Sequence, residues 1–197
     1  IHHQLVESYK QDFQKYAKKH QIKYLDQLFS QIPRFMGKQF KYSEIHGEYR
    51  KRELAPCLDL LCNANVVHKI THSSGFGHPL GAEINPEWFK LIFLDVALCQ
   101  ALLGLDLSTW FLDPNAHFIN QGYVAEAFVG QELLCYASPQ RHNELFFWKR
   151  DKRGSMAEVD YIFDYQNQII PLEVKSKHGS TLKSMGLFLK IHPKTSY

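Results

Sequence analysis

A-E-V-D-Y-I-F-D-Y-Q-N-Q-I-I-P-L-E-V-K-S, residues 157–176, is the stretch from which the fold can be read. Two runs of β-branched and aromatic residues flank the polar connection Tyr165, Gln166, Asn167 and Gln168. This pattern predicts two antiparallel strands, Ala157–Asp164 and Ile169–Ser176. Asn tolerates the positive φ that such turns need. A connection of this length sets Asp164 opposite Ile169, and the same register sets Asp160 opposite Glu173.

Strand side chains alternate between faces, so Asp160, Glu173 and Lys175 are expected together on one face. The other face carries Val159, Tyr161, Phe163, Ile170, Leu172 and Val174 and is predicted to enter a core. Carboxylates directly opposite each other lie with Cβ atoms roughly 5 Å apart and repel, unless one is protonated or a cation lies between them. Mg²⁺ or Mn²⁺ suits such an oxygen site, with Asp160 and Glu173 as ligands. Lys175 is placed to assist at a water or a phosphate charge. Upstream, the helix predicted over Gln121–Tyr136 puts Glu126 on the face of Val129, Gly130 and Leu133, where a carboxylate needs a partner or a role. A lone Glu-x-Lys on a strand is ordinarily a solvated pair. The opposed Asp160, the helical Glu126 and the apolar reverse face together point to a metal-dependent phosphodiester site.

Outward from this site, apolar spacing predicts helices over 5–20, Tyr24–Met36 and Glu53–Asn65, with a helical turn at Tyr42–Ile45. Pro33 should kink or end the second helix, and Pro56 fits the first turn of the third. Strands are expected at Val66–Ile70 and Phe89–Leu94, joined by a loop holding Gly75, Gly77, Pro79, Gly81 and Pro86. Three helices followed by two strands make a winged-helix-like pattern. A helix over Asp95–Leu103, a strand over Leu145–Lys149 and a last helix over Thr181–Lys190 complete the set. The expected organisation is a helical region 1–104, a linker 105–120 and a core 121–197. The fold class is α/β, or α+β overall, with a mixed central sheet flanked by helices.

The 197 residues carry 23 basic and 20 acidic side chains, a net charge of +3, which points only weakly to nucleic acid. Arg50, Lys51 and Arg52 precede the third helix, and Lys149, Arg150, Lys152 and Arg153 line the turn into the Asp160 strand. Both groups are candidate contacts for a phosphate backbone, with ordinary solvated charge as the other reading. Cys57, Cys62, Cys99 and Cys135 lack C-x-x-C spacing, which excludes a zinc knuckle and suggests buried free thiols in a reducing cytoplasm. The apolar stretch Phe89–Leu105 contains Lys90, Asp95 and Gln100 and is too short and charged to span a bilayer. His68, His72 and His78 match no familiar ligand spacing and are expected on the surface. Trp88, Trp110 and Trp148 are expected to pack. The start at Ile1 suggests a fragment of a longer chain.

The order helix Glu126, strand Asp160, then Glu173-Val174-Lys175 resembles the PD-(D/E)XK nuclease superfamily. The stretches that carry it are G-Y-V-A-E-A-F-V-G-Q-E-L (122–133), F-F-W-K-R (146–150), A-E-V-D-Y-I (157–162) and P-L-E-V-K-S (171–176). Val159 stands where the motif's name has proline. The wider chain resembles the C-terminal regions of bacterial and archaeal AAA-type ATP-binding proteins that end in a restriction-endonuclease-like domain. That likeness rests on Y-K-Q-D-F-Q-K-Y (9–16), I-P-R-F-M-G-K-Q-F-K-Y-S (32–43), C-L-D-L-L-C-N-A-N-V-V (57–67) and F-K-L-I-F-L-D-V-A-L (89–98). The resemblance implies Asp160 and Glu173 as ligands of Mg or Mn, Lys175 as the catalytic lysine and Glu126 as an accessory carboxylate. It also implies an upstream ATPase domain that binds ATP, whereas this chain has no G-x-x-x-x-G-K-[ST] loop. Nucleic acid is the implied partner and DNA cleavage the implied activity. The alternative is a catalytically inactive module that binds nucleic acid or protein and positions the ATPase. The superfamily core usually adds one strand after the last helix, so an edge is expected to be missing.

Overall fold

The computed structural model describes residues 1–104, 121–137, 144–150, 157–175, 181–193 and 195. Among these, six α-helices and five strands form a mixed α/β protein whose helical N-terminal part precedes the sheet region. The helices are α1 (His2–Tyr16), α2 (Ile22–Gln31), α3 (Lys51–Asn63), α4 (Val96–Leu102), α5 (Gln121–Tyr136) and α6 (Lys183–Ile191). The strands are β1 (Val67–Ser73), β2 (Ile84–Phe93), β3 (Leu145–Lys149), β4 (Glu158–Tyr165) and β5 (Gln168–Leu172), in the sheet order β2-β1-β3-β4-β5.

Two compact units make up the chain. The described residues of Ile1–His68 and Leu91–Asn120 form one, and those of Lys69–Lys90 and Gln121–Tyr197 the other. Residues 69–90 thus group with the C-terminal part and not with the helical block 1–104. The reason is strand pairing. The two strands expected as a wing do more than close one, because β1 runs parallel to β3 with Thr71 opposite Phe146 and His72 opposite Phe147.

In the first unit the apolar faces of the helices meet around Leu28, Phe29, Ile32, Leu54 and Leu58, all withdrawn from solvent. Phe29 lies 5.3 Å from both Phe13 and Phe93, ring centre to ring centre. α2 stops at Gln31, and the chain continues as the 3₁₀ turn Ile32–Phe35, because Pro33 has no N–H to carry the α-helix on. α3 begins two residues earlier than its sequence suggests, so Pro56 sits inside the helix and not in its first turn. The Glu53 carboxylate accepts the Arg50 backbone N–H at 2.9 Å and thereby fixes that start.

In the second unit Leu80, Phe146, Trp148, Val159, Ile162, Ile169 and Phe188 form one core cluster against α6. His192 ties the end of α6 to the β1–β2 loop, with ring nitrogens 2.8 Å from the Phe188 carbonyl and 2.9 Å from the Ser74 carbonyl. Both edge strands carry a proline, Pro86 in β2 and Pro171 in β5, as the missing N–H permits only at an edge. His72, expected at the surface, is buried between Trp88 and Phe147 with Nε2 3.1 Å from the Lys149 carbonyl. Its neighbours on β1 and β3 close over it. The cysteines are all free. Cys57 and Cys99 are buried, Cys62 is half-buried and Cys135 is exposed, so the expectation of four buried thiols holds for two. Trp110 lies outside the described residues, and Trp148 packs on Phe188. No helix among the described residues is long and apolar enough to cross a membrane.

Candidate functional site

The hairpin β4–β5 has the register read from its sequence. Asp164 pairs with Ile169, and Tyr161 with Leu172. The turn is tighter than expected: Tyr165 pairs with Gln168, leaving Gln166 and Asn167 as the two turn residues, with φ of 50° and 63°. Two successive left-handed residues give the hairpin turn whose twist matches that of the strands.

β5 ends at Leu172, short of the strand expected to run to Ser176. The cause is Asp160 itself: its Oδ2 accepts the Val174 N–H at 2.8 Å, in place of a ladder carbonyl. That bond draws the Glu173–Lys175 segment onto Asp160. Lys175 Nζ donates to Glu173 Oε1, and Glu173 Oε2 is buried without a hydrogen-bond partner. The Glu173 side chain is 7% exposed, against 35% for that of Lys175.

A bulge between β3 and β4 arranges the rest. Trp148 pairs with Val159 and Phe146 with Ile162, so β4 holds one residue more than β3 over the same span. Asp160 and Tyr161 therefore share the place opposite Phe147, and the simple alternation expected from the sequence breaks. Val159 and Ile162 both enter the α6 core. The face expected to be wholly apolar is split accordingly: Tyr161 is redirected and Phe163, Ile170, Leu172 and Val174 are half-buried. Tyr161 turns toward α5, where its hydroxyl donates to the Glu126 carbonyl at 2.7 Å.

Glu126 is buried, as its place in an apolar stripe implied, and its partner is Lys90 of β2 at 2.8 Å. The Lys90 ammonium also lies 2.5 Å from Glu158 and 3.9 Å from Asp160, and over the Phe147 ring at 5.2 Å. Lys149 reaches Glu158 at 3.8 Å. Burial penalises the charge on Lys90, but Glu126 and Glu158 outweigh that and hold it protonated. Burial also dominates at Glu126, whose carboxyl is pushed up to about 7 despite Lys90, with Asp160 adding to the rise. Asp160 is raised as well, by burial first and by Glu173 further, against the Val174 N–H and Lys90.

Glu126, Asp160, Glu173 and Lys175 are thus brought together, and Lys90 and Glu158 join them unforeseen. A lysine alone in the strand E-W-F-K-L-I-F (87–93) was the available signal, since a buried ammonium must find carboxylates. Arg50, Lys51 and Arg52 are exposed at the start of α3, in the other compact unit. Arg150 is half-buried, and Lys152 and Arg153 lie outside the described residues. His68 is half-buried and His78 exposed.

Among the described residues no group of three or more His, Cys, Asp or Glu is arranged to hold a metal ion. The donor set fits a hard divalent cation at two oxygen ligands. The partnerless Glu173 Oε2 beside the Asp160 carboxylate is the atom that would gain most, and Mg²⁺ commonly takes one or two carboxylates and completes its shell with water.

No curated protein and no solved structure matches the chain. Residues 121–197 match the family described as Domain of unknown function (DUF4143), a domain found in AAA-ATPase-associated proteins. Residues 1–109, more than half of the chain, match a second description, and the chain accordingly belongs to the family Domain of unknown function (DUF8612).

Proposed function

We propose that the second compact unit is a restriction-endonuclease-like module of the PD-(D/E)XK type that hydrolyses phosphodiester bonds in DNA with Mg²⁺ or Mn²⁺. In this reading the chain is the C-terminal region of a cytoplasmic AAA-type ATPase, and ATP binds only to the upstream domain. The observation that carries the reading is the meeting of Asp160 and Glu173 at the end of the β4–β5 hairpin, with Lys175 on Glu173 and Glu173 Oε2 buried without a partner.

Asp160 and Glu173 would hold the cation, which supplies charge neutralisation at the phosphate. The Val174 N–H orients the Asp160 carboxylate from behind and keeps Oδ1 for other work. Lys175, the more exposed member of its pair, can leave Glu173 to donate to a phosphate oxygen. Glu126 is too deeply buried to touch substrate and acts through Lys90. Lys149 and Arg150 are placed to hold a nucleic-acid backbone, with Lys152, Arg153 and the Arg50–Arg52 group as further candidates.

Supercoiled, linear and branched DNA incubated with the chain and Mg²⁺ or Mn²⁺ tests this. Cleavage is expected, with Lys175→Ala slowing it roughly a hundredfold or more. One observation favours a second reading: Lys90 already neutralises three carboxylates. A module that binds nucleic acid or protein without cutting, and positions the ATPase, would then be the account. Metal-independent DNA binding without cleavage would select it.

A further inference from the structure

Lys90 is 2% exposed, and its ammonium stands among Glu126 on α5 and Glu158 and Asp160 on β4. One ion pair would suffice to keep a buried ammonium charged. Three carboxylates converging from a helix and a strand are instead the surroundings that a divalent cation takes. The Glu173 Oε2 atom lies outside that ring of ion pairs and has no partner. The cluster is therefore divided into a part already filled by a cation and a part with an oxygen still unsatisfied.

We propose that Lys90 is a built-in cation that occupies the Glu126–Glu158–Asp160 side of the cluster, excludes a divalent ion from it and confines the site to a single ion at Asp160 and Glu173. Lys90 is a positioning residue in this scheme. Its charge offsets carboxylates that would otherwise draw the ion inward, and its contacts hold Asp160 toward Glu173. The inference rests on the metal reading of Asp160 and Glu173 given above. The bulge is what makes it possible, because it puts Asp160 within reach of both Lys90 and the Val174 N–H.

Calorimetric titration of the metal-free chain with Mn²⁺, in the absence of nucleic acid, separates the possibilities. The natural chain is expected to bind one ion. Lys90→Met, which keeps the length of the side chain and removes its charge, is expected to bind a second ion or to bind the first roughly tenfold more tightly. Glu126→Gln leaves Lys90 under-compensated and is expected to weaken Mn²⁺ binding severalfold. If Lys90→Met does not fold, as judged by circular dichroism, the Glu126→Gln titration decides, and an affinity equal to that of the natural chain overturns the inference. One ion in both the natural chain and folded Lys90→Met, at the same affinity, overturns the inference and leaves the metal reading standing. Binding by Lys90→Met but not by the natural chain supports the built-in cation and overturns the metal-dependent nuclease reading. No binding by any folded form overturns both.

Discussion

Glu126 carries the largest conflict at the scale of single residues. Burial favours its neutral form, Lys90 favours its charged form, and burial prevails, with the carboxyl at about 7 in place of 4.5. A carboxyl whose value is raised by folding stabilises the protein fully below the unfolded value and loses that contribution as pH rises through the folded one. In chelator, stability should therefore fall between pH 4.5 and about 7 by at most roughly 3 kcal/mol from this group. Asp160, raised for the same first reason, adds in the same direction. Urea denaturation across this range should show the decline in the natural chain and a flatter profile for Glu126→Gln. Equal slopes would mean that burial does not govern Glu126.

Among the elements, the hairpin shows how much local sequence can specify. Its register follows from turn length and side-chain alternation, both properties of 157–176 alone. The turn carries strain that the sequence need not have: Gln166 and Asn167 both adopt positive φ, which costs a side-chain-bearing residue about 1–2 kcal/mol in the helical sense. Replacing the pair by Asn-Gly should stabilise the chain by about 0.5–1 kcal/mol, after the entropy of the added glycine. Thermal melting checks this, and an unchanged or lower midpoint would count against the turn geometry. The bulge is a different case. It exists only in relation to β3, where two residues of spacing face three on β4, and no pattern within 157–176 announces it.

On the scale of the whole molecule, the sequence that matches the DUF8612 description contributes residues 69–90 to the compact unit that holds the DUF4143 match. Lys90 is part of that contribution, so the carboxylate cluster draws on both matches. The cysteines report on packing in both units. Cys57 and Cys99 are buried and their thiols are pushed up by desolvation, whereas Cys135 is exposed. A thiol reagent under native conditions should therefore modify Cys135 first and Cys62 more slowly. It should reach Cys57 and Cys99 only on unfolding, because a buried neutral thiol is a poor nucleophile. Peptide mapping of the labelled chain reads this directly, and rapid native labelling of Cys57 or Cys99 would contradict the packing.

By itself the sequence determined the order of helices and strands, the hairpin register and the meeting of Asp160 with Glu173, because each follows from periodicity and turn chemistry over short distances. It also marked Glu126 as a carboxylate in need of a partner. Only the tertiary structure decided who that partner is. Lys90 lies 36 residues away on a strand whose neighbours are chosen by pairing across the sheet. The same pairing put β1 and β2 into one sheet with β3, ended β5 at Leu172 and opened the bulge at Asp160 and Tyr161. These outcomes depend on hydrogen bonds and charges brought together from distant segments, and such encounters leave no period in the chain.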